Sequence, residues 1–279
     1  MQLYYYTKLQ YGLASVRDRR IKISLYDSLN DPFDFLGVAI DTTEQETELK
    51  KIRDELSKRQ GIICLSETWK EPLMWGHYAN SHKGVCLGFE VGAPDYEKID
   101  YRATRPKLSD FGKASINELT HEDRSQIALR KFNRWSYERE WRRIVDLGLQ
   151  DYVDGNHYLR FDDKMVLKTI LFGSKSEISA DKIEKIATAY PDVKIAITGP
   201  AKNDFDIIID KTETEKKVPA GNRVLQLRVP DTLDLQHAME KALLSMQESM
   251  VKMASETADR ILKKRTEALQ NKLKTGKNG

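Results

Sequence analysis

Apolar residues recur along the chain with a period that changes repeatedly, and each change marks an element. Leu3 to Thr7 is an apolar, aromatic run that reads as a strand. Leu9, Leu13 and Val16 then fall at helical spacing within Lys8 to Arg17. From Arg20 to Leu25 the apolar Ile21, Ile23 and Leu25 alternate with basic or polar residues, as in a half-buried strand. Asn30-Asp31-Pro32 breaks the pattern: short polar side chains bond back to the backbone there, and proline forbids helix continuation. Thr42 to Arg59 reads as a Glu/Lys-rich helix with Thr42 available as N-cap; Gly61 ends it before the strand Ile62 to Ser66. Pro72 opens a helix predicted to run to His82, and Gly84 breaks it before the strand Val85 to Glu90. Residues 93 to 112 read as loop and short strand.

Further on, Ile116 to Trp135 is predicted as a long helix and Glu138 to Val145 as an alternating strand. Val166 to Phe172, Lys194 to Thr198, Asp206 to Ile209 and Arg223 to Val229 are predicted strands, with a helix over Ala180 to Tyr190. Strands and helices are interspersed without a regular βαβ repeat, so the expected fold is α+β, one mixed domain over residues 1–230. From Asp231, Met239, Leu243, Met246, Met250 and Met253 follow at alternating four- and three-residue steps. That seam predicts a long C-terminal helix over 231–273, packed either on the domain or on a second copy as an oligomerising coiled coil. Residues 274–279 are expected to be a disordered tail.

Composition changes this picture little. Of 279 residues, 40% are apolar, enough for a core, and 32% are charged, but 46 basic residues face 43 acidic ones. A net charge of +3 does not by itself mark a nucleic-acid binder. The N-terminus lacks a signal-peptide layout and no stretch approaches a membrane span, so a cytoplasmic protein with no membrane partner is expected. Cys64 and Cys86 sit in apolar runs and read as buried thiols; with His77 and His82 they lack the short paired spacing of zinc sites, and no metal is expected.

Two constellations could carry chemistry. On a helix through His82, Trp75, Tyr78 and His82 would share one face, and Met74, His77 and Ser81 another. Two aromatics and an imidazole suit a planar ring, although the same residues serve equally as core. On a strand, Glu138 and Glu140 would face one way with Arg142 beside them. Such a group can fix ribose hydroxyls or oppose a developing cation; a solvated ion-pair ladder is the commoner meaning of alternating charge. Function-bearing residues thus fall between Asn30 and Arg143. The fingerprints of kinases, P-loop ATPases, serine hydrolases and common metalloproteases are absent.

Asn30-Asp31-Pro32-Phe33-Asp34, Cys64-Leu65-Ser66-Glu67, the run Pro72 to Ala79 with Gly84 to Phe89, and Tyr137-Glu138-Arg139-Glu140-Trp141-Arg142 together resemble the bacterial domain of unknown function 2971, over roughly residues 3 to 210. A second resemblance is to ADP-ribosyltransferase-like folds, carried by the opening strand–helix–strand and by Glu138-Arg139-Glu140. It implies an NAD-consuming transferase or glycohydrolase, of the kind found in toxins and phage defence. Glu140 would hold the nicotinamide-side ribose and Glu138 would orient a protein or nucleic-acid acceptor. Tyr5, Thr7, Trp75, Tyr78, His77 and Arg142 would line the nucleotide site. The His or Arg usual on the first strand is replaced here by Tyr5 and Thr7. The alternatives are a non-catalytic binding or regulatory module with an oligomerising tail, and a nucleic-acid-processing protein using His77, His82 and the arginines near Glu140.

Overall fold

The computed structural model describes residues 1–34 and 38–227. Within it, Met1–Leu227 is one compact unit. The predicted C-terminal helix, its methionine seam and the tail lie outside the described residues.

The chain opens with strand β1 (Gln2–Thr7), helix α1 (Leu9–Asp18) and strand β2 (Arg20–Lys22). Helix α2 (Thr43–Ser57) starts where the Thr42 hydroxyl accepts from the Gln45 amide, the cap expected from the sequence. It leads to β3 (Gln60–Ser66), which already includes Gly61. Helix α3 (Pro72–His77) and β4 (Val85–Val91) follow, then β5 (Glu97–Lys98) and β6 (Asp100–Arg102). Helix α4 (His121–Ala128), β7 (Arg130–Phe132) and β8 (Glu140–Asp146) form the middle of the chain. After β9 (Asp151–Val153), β10 (Asn156–Arg160) and β11 (Met165–Phe172) come α5 (Ala180–Ala189), β12 (Lys194–Pro200), β13 (Ile207–Ile209) and α6 (Lys211–Lys217).

The result is an α+β fold. Among the described residues the largest sheet has eight strands in the order β13-β12-β11-β4-β1-β3-β8-β5. Its pairs are antiparallel except β11 with β12, which α5 joins by a crossover. A three-stranded sheet β2-β10-β9 and a parallel pair β6-β7 complete the set. Among the described residues no helix is long and apolar enough to cross a membrane.

The period-two alternation of β3 feeds two cores. Ile63 and Leu65 join the main cluster with Leu3, Leu87, Phe89 and Ile170, whereas Ile62 and Cys64 pack with Leu49, Ile116 and Ile127 under α2 and α4. In β8, Arg142 is paired across from Cys64 and Glu140 from Ser66, so both charged residues point toward this second core. Whereas β1 is paired with β4 over its whole length, from Gln2 to Thr7, the seam between β1 and β3 carries a single register pair, Tyr4 with Ser66.

Three predicted elements differ most. The helix from Pro72 stops at His77, because Asn80, Ser81 and His82 take left-handed backbone angles (φ 49°, 54° and 68°). That reversal is pinned at Gly84, where a Cβ would stand 2.2 Å from the Thr7 carbonyl oxygen, so a side chain has no room. The long helix expected over Ile116 to Trp135 is instead a short turn, α4 and β7. Thr120 and Asp123 form a capping box that starts α4, and β7 then pairs with β6. The strand expected at Arg223 to Val229 is reduced within the described residues to one bridge, Ile195 with Arg223.

Candidate active site

Glu138 ends a 3-10 turn rather than lying on β8, and Arg139 takes a left-handed conformation (φ 46°) between it and the strand. This turn, not strand alternation, brings Glu138 to the same side as Glu140. The turn is clasped from β3: the Ser66 hydroxyl donates to the Glu138 carbonyl at 2.6 Å, and the Glu67 amide donates to the Arg139 carbonyl at 3.0 Å.

Five charged side chains meet here, none more than 7% exposed: Asp34, Lys131, Glu138, Glu140 and Arg142. Lys131 donates to Glu138 Oε2 at 2.6 Å and to Glu140 Oε2 at 3.1 Å, and its Nζ lies 3.8 Å from Asp34 Oδ2. Arg142 donates through Nε to Glu140 Oε1 (2.7 Å), through Nη2 to Asp34 Oδ1 (2.8 Å) and through Nη1 to the Ala128 carbonyl (2.7 Å). Ala128 is the last residue of α4, so the guanidinium also meets the negative end of that helix. From outside, Asn30 donates to the Tyr78 hydroxyl at 2.7 Å, and Tyr78 donates to Glu138 Oε1 at 2.5 Å. The solvated-ladder reading of the alternating charges is therefore corrected: at this burial the charges must be paired or lost.

Three carboxylates against two cations leave one excess negative charge when all are ionised. The environment then separates the two glutamates. Burial alone would raise Glu140, but Arg142 and Lys131 outweigh it and bring the carboxyl down to about 2. For Glu138 burial wins, helped by the Glu140 charge, and its pKa rises despite Lys131. Asp34 is likewise raised by burial, against the pull of Arg142 and Lys131. A pair of carboxyls driven apart in this way suits one fixed anion and one proton-exchanging group. Asp34 Oδ2 is buried and takes no hydrogen bond among the described residues.

These groups form the floor of a cleft of about 300 Å³, lined from both sides of the sparse β1–β3 seam by Tyr4, Tyr5, Tyr6, Cys64, Leu65 and Ser66. Of the sequence-predicted site residues, Tyr5, Tyr78, Glu138, Glu140 and Arg142 line it. The other three do not. Trp75 is fully buried, its indole NH donating to the Trp69 carbonyl at 2.7 Å and its ring edge-on to Tyr6 at 5.3 Å, so it has no free face for a ligand. His77 is exposed and contacts the rings of Tyr78, Trp135 and Tyr137. Thr7 lines a separate cavity with Arg20 and Tyr158. The helix face shared by Trp75, Tyr78 and His82 does not exist, since the helix ends first. Cys64 and Cys86 lie on β3 and β4, which β1 separates.

Sequence reasoning missed Asp34, Lys131, Ser66 and Asn30 as site residues. Asp34 and Asn30 stand in a conspicuous turn motif, and Ser66 in the segment Cys64-Leu65-Ser66-Glu67 that carries part of the family resemblance. Lys131 gave no signal, because it fell inside a predicted helix.

No curated protein and no solved structure matches the chain. Residues 74–143, the span that holds Tyr78, Lys131, Glu138, Glu140 and Arg142, match the family model described as a protein of unknown function (DUF2971).

Proposed function

We propose that the chain is an NAD-consuming enzyme of ADP-ribosyltransferase or NAD glycohydrolase type, acting in the Glu138/Glu140 cleft. One observation supports the reading: three buried carboxylates share two cations at the floor of a cleft, and Asp34 Oδ2, 3.8 Å from the Lys131 ammonium, takes no hydrogen bond among the described residues. Breaking the bond between nicotinamide and ribose sends the electron pair to the leaving nicotinamide and builds positive charge on the sugar. A preorganised negative group in a low-dielectric site stabilises that charge.

Glu140, locked by Arg142, supplies the permanent anion. Asp34 Oδ2 offers an acceptor for a sugar hydroxyl. Glu138 takes the proton of the attacking oxygen as the new bond forms at the sugar carbon, its raised pKa making it the better base. The Tyr78–Asn30 contacts lead from it toward the surface. Tyr5 lines the cleft and Trp75 does not, so in this reading Tyr5 takes the role of stacking the nicotinamide. Water as nucleophile gives a glycohydrolase; a protein or nucleic-acid group gives a transferase, the chemistry of a toxin or phage-defence effector. At about 300 Å³ the cleft is at the small end for ligand sites, which fits one ring-and-sugar end of a dinucleotide.

Nicotinamide release from NAD, followed by chromatography, tests this. Glu138→Gln is expected to cut the rate by about 100-fold or more with unchanged circular dichroism. If the wild-type chain neither binds nor cleaves NAD at millimolar concentration, the reading falls. A second reading, a non-catalytic module, is favoured by the fact that both cations already have protein partners. It predicts that Glu138→Gln changes stability alone.

A further inference from the structure

Lys131 lines a second cavity as well as the acidic cleft, and that second cavity has the opposite character. It holds about 260 Å³ and is lined by Phe33, Arg102, Arg105, Pro106, Arg130 and Phe132, among others. The Lys131 ammonium is committed to the carboxylates of the acidic cleft, so the arginines set the charge here. Arg102 and Arg130 share one carboxylate, Asp100, at 2.8 Å and 3.6 Å. Arg105 has no carboxylate in ion-pair range among the described residues; its guanidinium stacks 4.7 Å from the centroid of the Phe33 ring. Arg130 Nη1 is buried and donates no hydrogen bond among the described residues, although its guanidinium lies 5.0 Å from the centroid of the Phe111 ring. Phe33 and Phe132 are 55% and 45% exposed, although rings of this size are normally covered.

We propose that this pocket binds a nucleoside phosphate. Guanidinium groups present planar N–H forks that match phosphate oxygens, and an arginine lacking a carboxylate has that fork free. The buried, unpaired Arg130 Nη1 supplies a donor that a phosphate oxygen would satisfy. The exposed rings of Phe33 and Phe132 give a base a flat apolar surface, as aromatic side chains do in nucleotide-binding proteins. Two rings at one pocket suit a single base; a nucleic-acid strand would need a succession of rings along a groove. The proposal does not depend on the chemistry assigned to the acidic cleft.

Titration calorimetry of the full chain with ADP tests it, with inorganic pyrophosphate as the arm that lacks a base. ADP is expected to bind, and Arg105→Ala to weaken it by about tenfold or more, the loss of a charge-assisted bond. Arg105→Lys, which keeps the charge without the fork, is expected to lose several-fold, so the result does not rest on one variant. Phe33→Ala is expected to weaken ADP and leave pyrophosphate unchanged. ADP binding without NAD cleavage would sink the cleft reading alone. No ADP binding at millimolar concentration, equal affinity for pyrophosphate and ADP, or unaltered binding by both Arg105 variants would overturn the proposal.

Discussion

Two cavities meet at Lys131, and they differ in what charge means. In the acidic cleft every charged side chain is nearly sealed from water. Each ion must then find a partner, and the one negative charge left over shows up as two glutamates driven apart in pKa. In the basic pocket Arg102 and Arg105 are solvent-exposed, and water pays most of the cost of their charge. Ion pairs there contribute little to stability, which leaves the arginines free for a ligand. The same residue types thus hold the fold together on one side of Lys131 and stand available on the other.

The comparison breaks most sharply at Arg142. Arg142→Ala strands Glu140 and Asp34 as buried, unpaired carboxylates and is expected to destabilise the fold by about 3–5 kcal/mol, measured by chemical denaturation. Arg102→Ala, in the basic pocket, should cost no more than about 1 kcal/mol. Equal losses would mean that burial does not separate the two sites.

Acid sharpens the same point. Glu140 has a folded pKa of about 2 against an ordinary 4.5, so its contribution is fully present above about 4.5 and is lost as pH falls toward 2. Glu138 acts in the opposite sense: its folded pKa is raised above 4.5, so folding gains stability as pH falls from that raised value to about 4.5. Melting temperature against pH should therefore lose its acid-side fall in Glu140→Gln, relative to wild type, and its mild-acid rise in Glu138→Gln. Parallel curves for all three proteins would refute the split. The smallest effect is expected at His77, which lies outside both cavities: His77→Ala should shift stability by no more than about 0.5 kcal/mol and leave NAD and ADP binding unchanged.

Much of the secondary structure was legible because it is written locally. The Thr42 cap and the apolar runs of β3 and β11 depend on neighbours in sequence, and the predicted elements match there to within two residues. The glutamate pair was legible as a pair, but for a reason that proved incomplete, since Arg139 leaves the strand geometry between them. Trp75 was misplaced because aromatic residues at helical spacing look the same whether they face a ligand or a core. The helix predicted from Pro72 is too long because Gly84, the nearest helix breaker in the sequence, does not mark its end. The turn is in fact made by three non-glycine residues, and Gly84 is required by its contact with Thr7. The helix expected over Ile116 to Trp135 ran past a capping box that the sequence does contain, at Thr120 and Asp123.

By itself, then, the sequence determined the α+β class, most element positions, and the stretch, Asn30 to Arg143, that supplies the buried charged cluster. Those follow from periodicity, caps and turn residues, all short-range properties of the chain. Only the tertiary structure decided which charges are buried together. Asp34 reaches Arg142 across 108 residues of chain, and Lys131 leaves its predicted helix to meet three carboxylates. Desolvation depends on everything packed around a group, and no window of sequence contains that information.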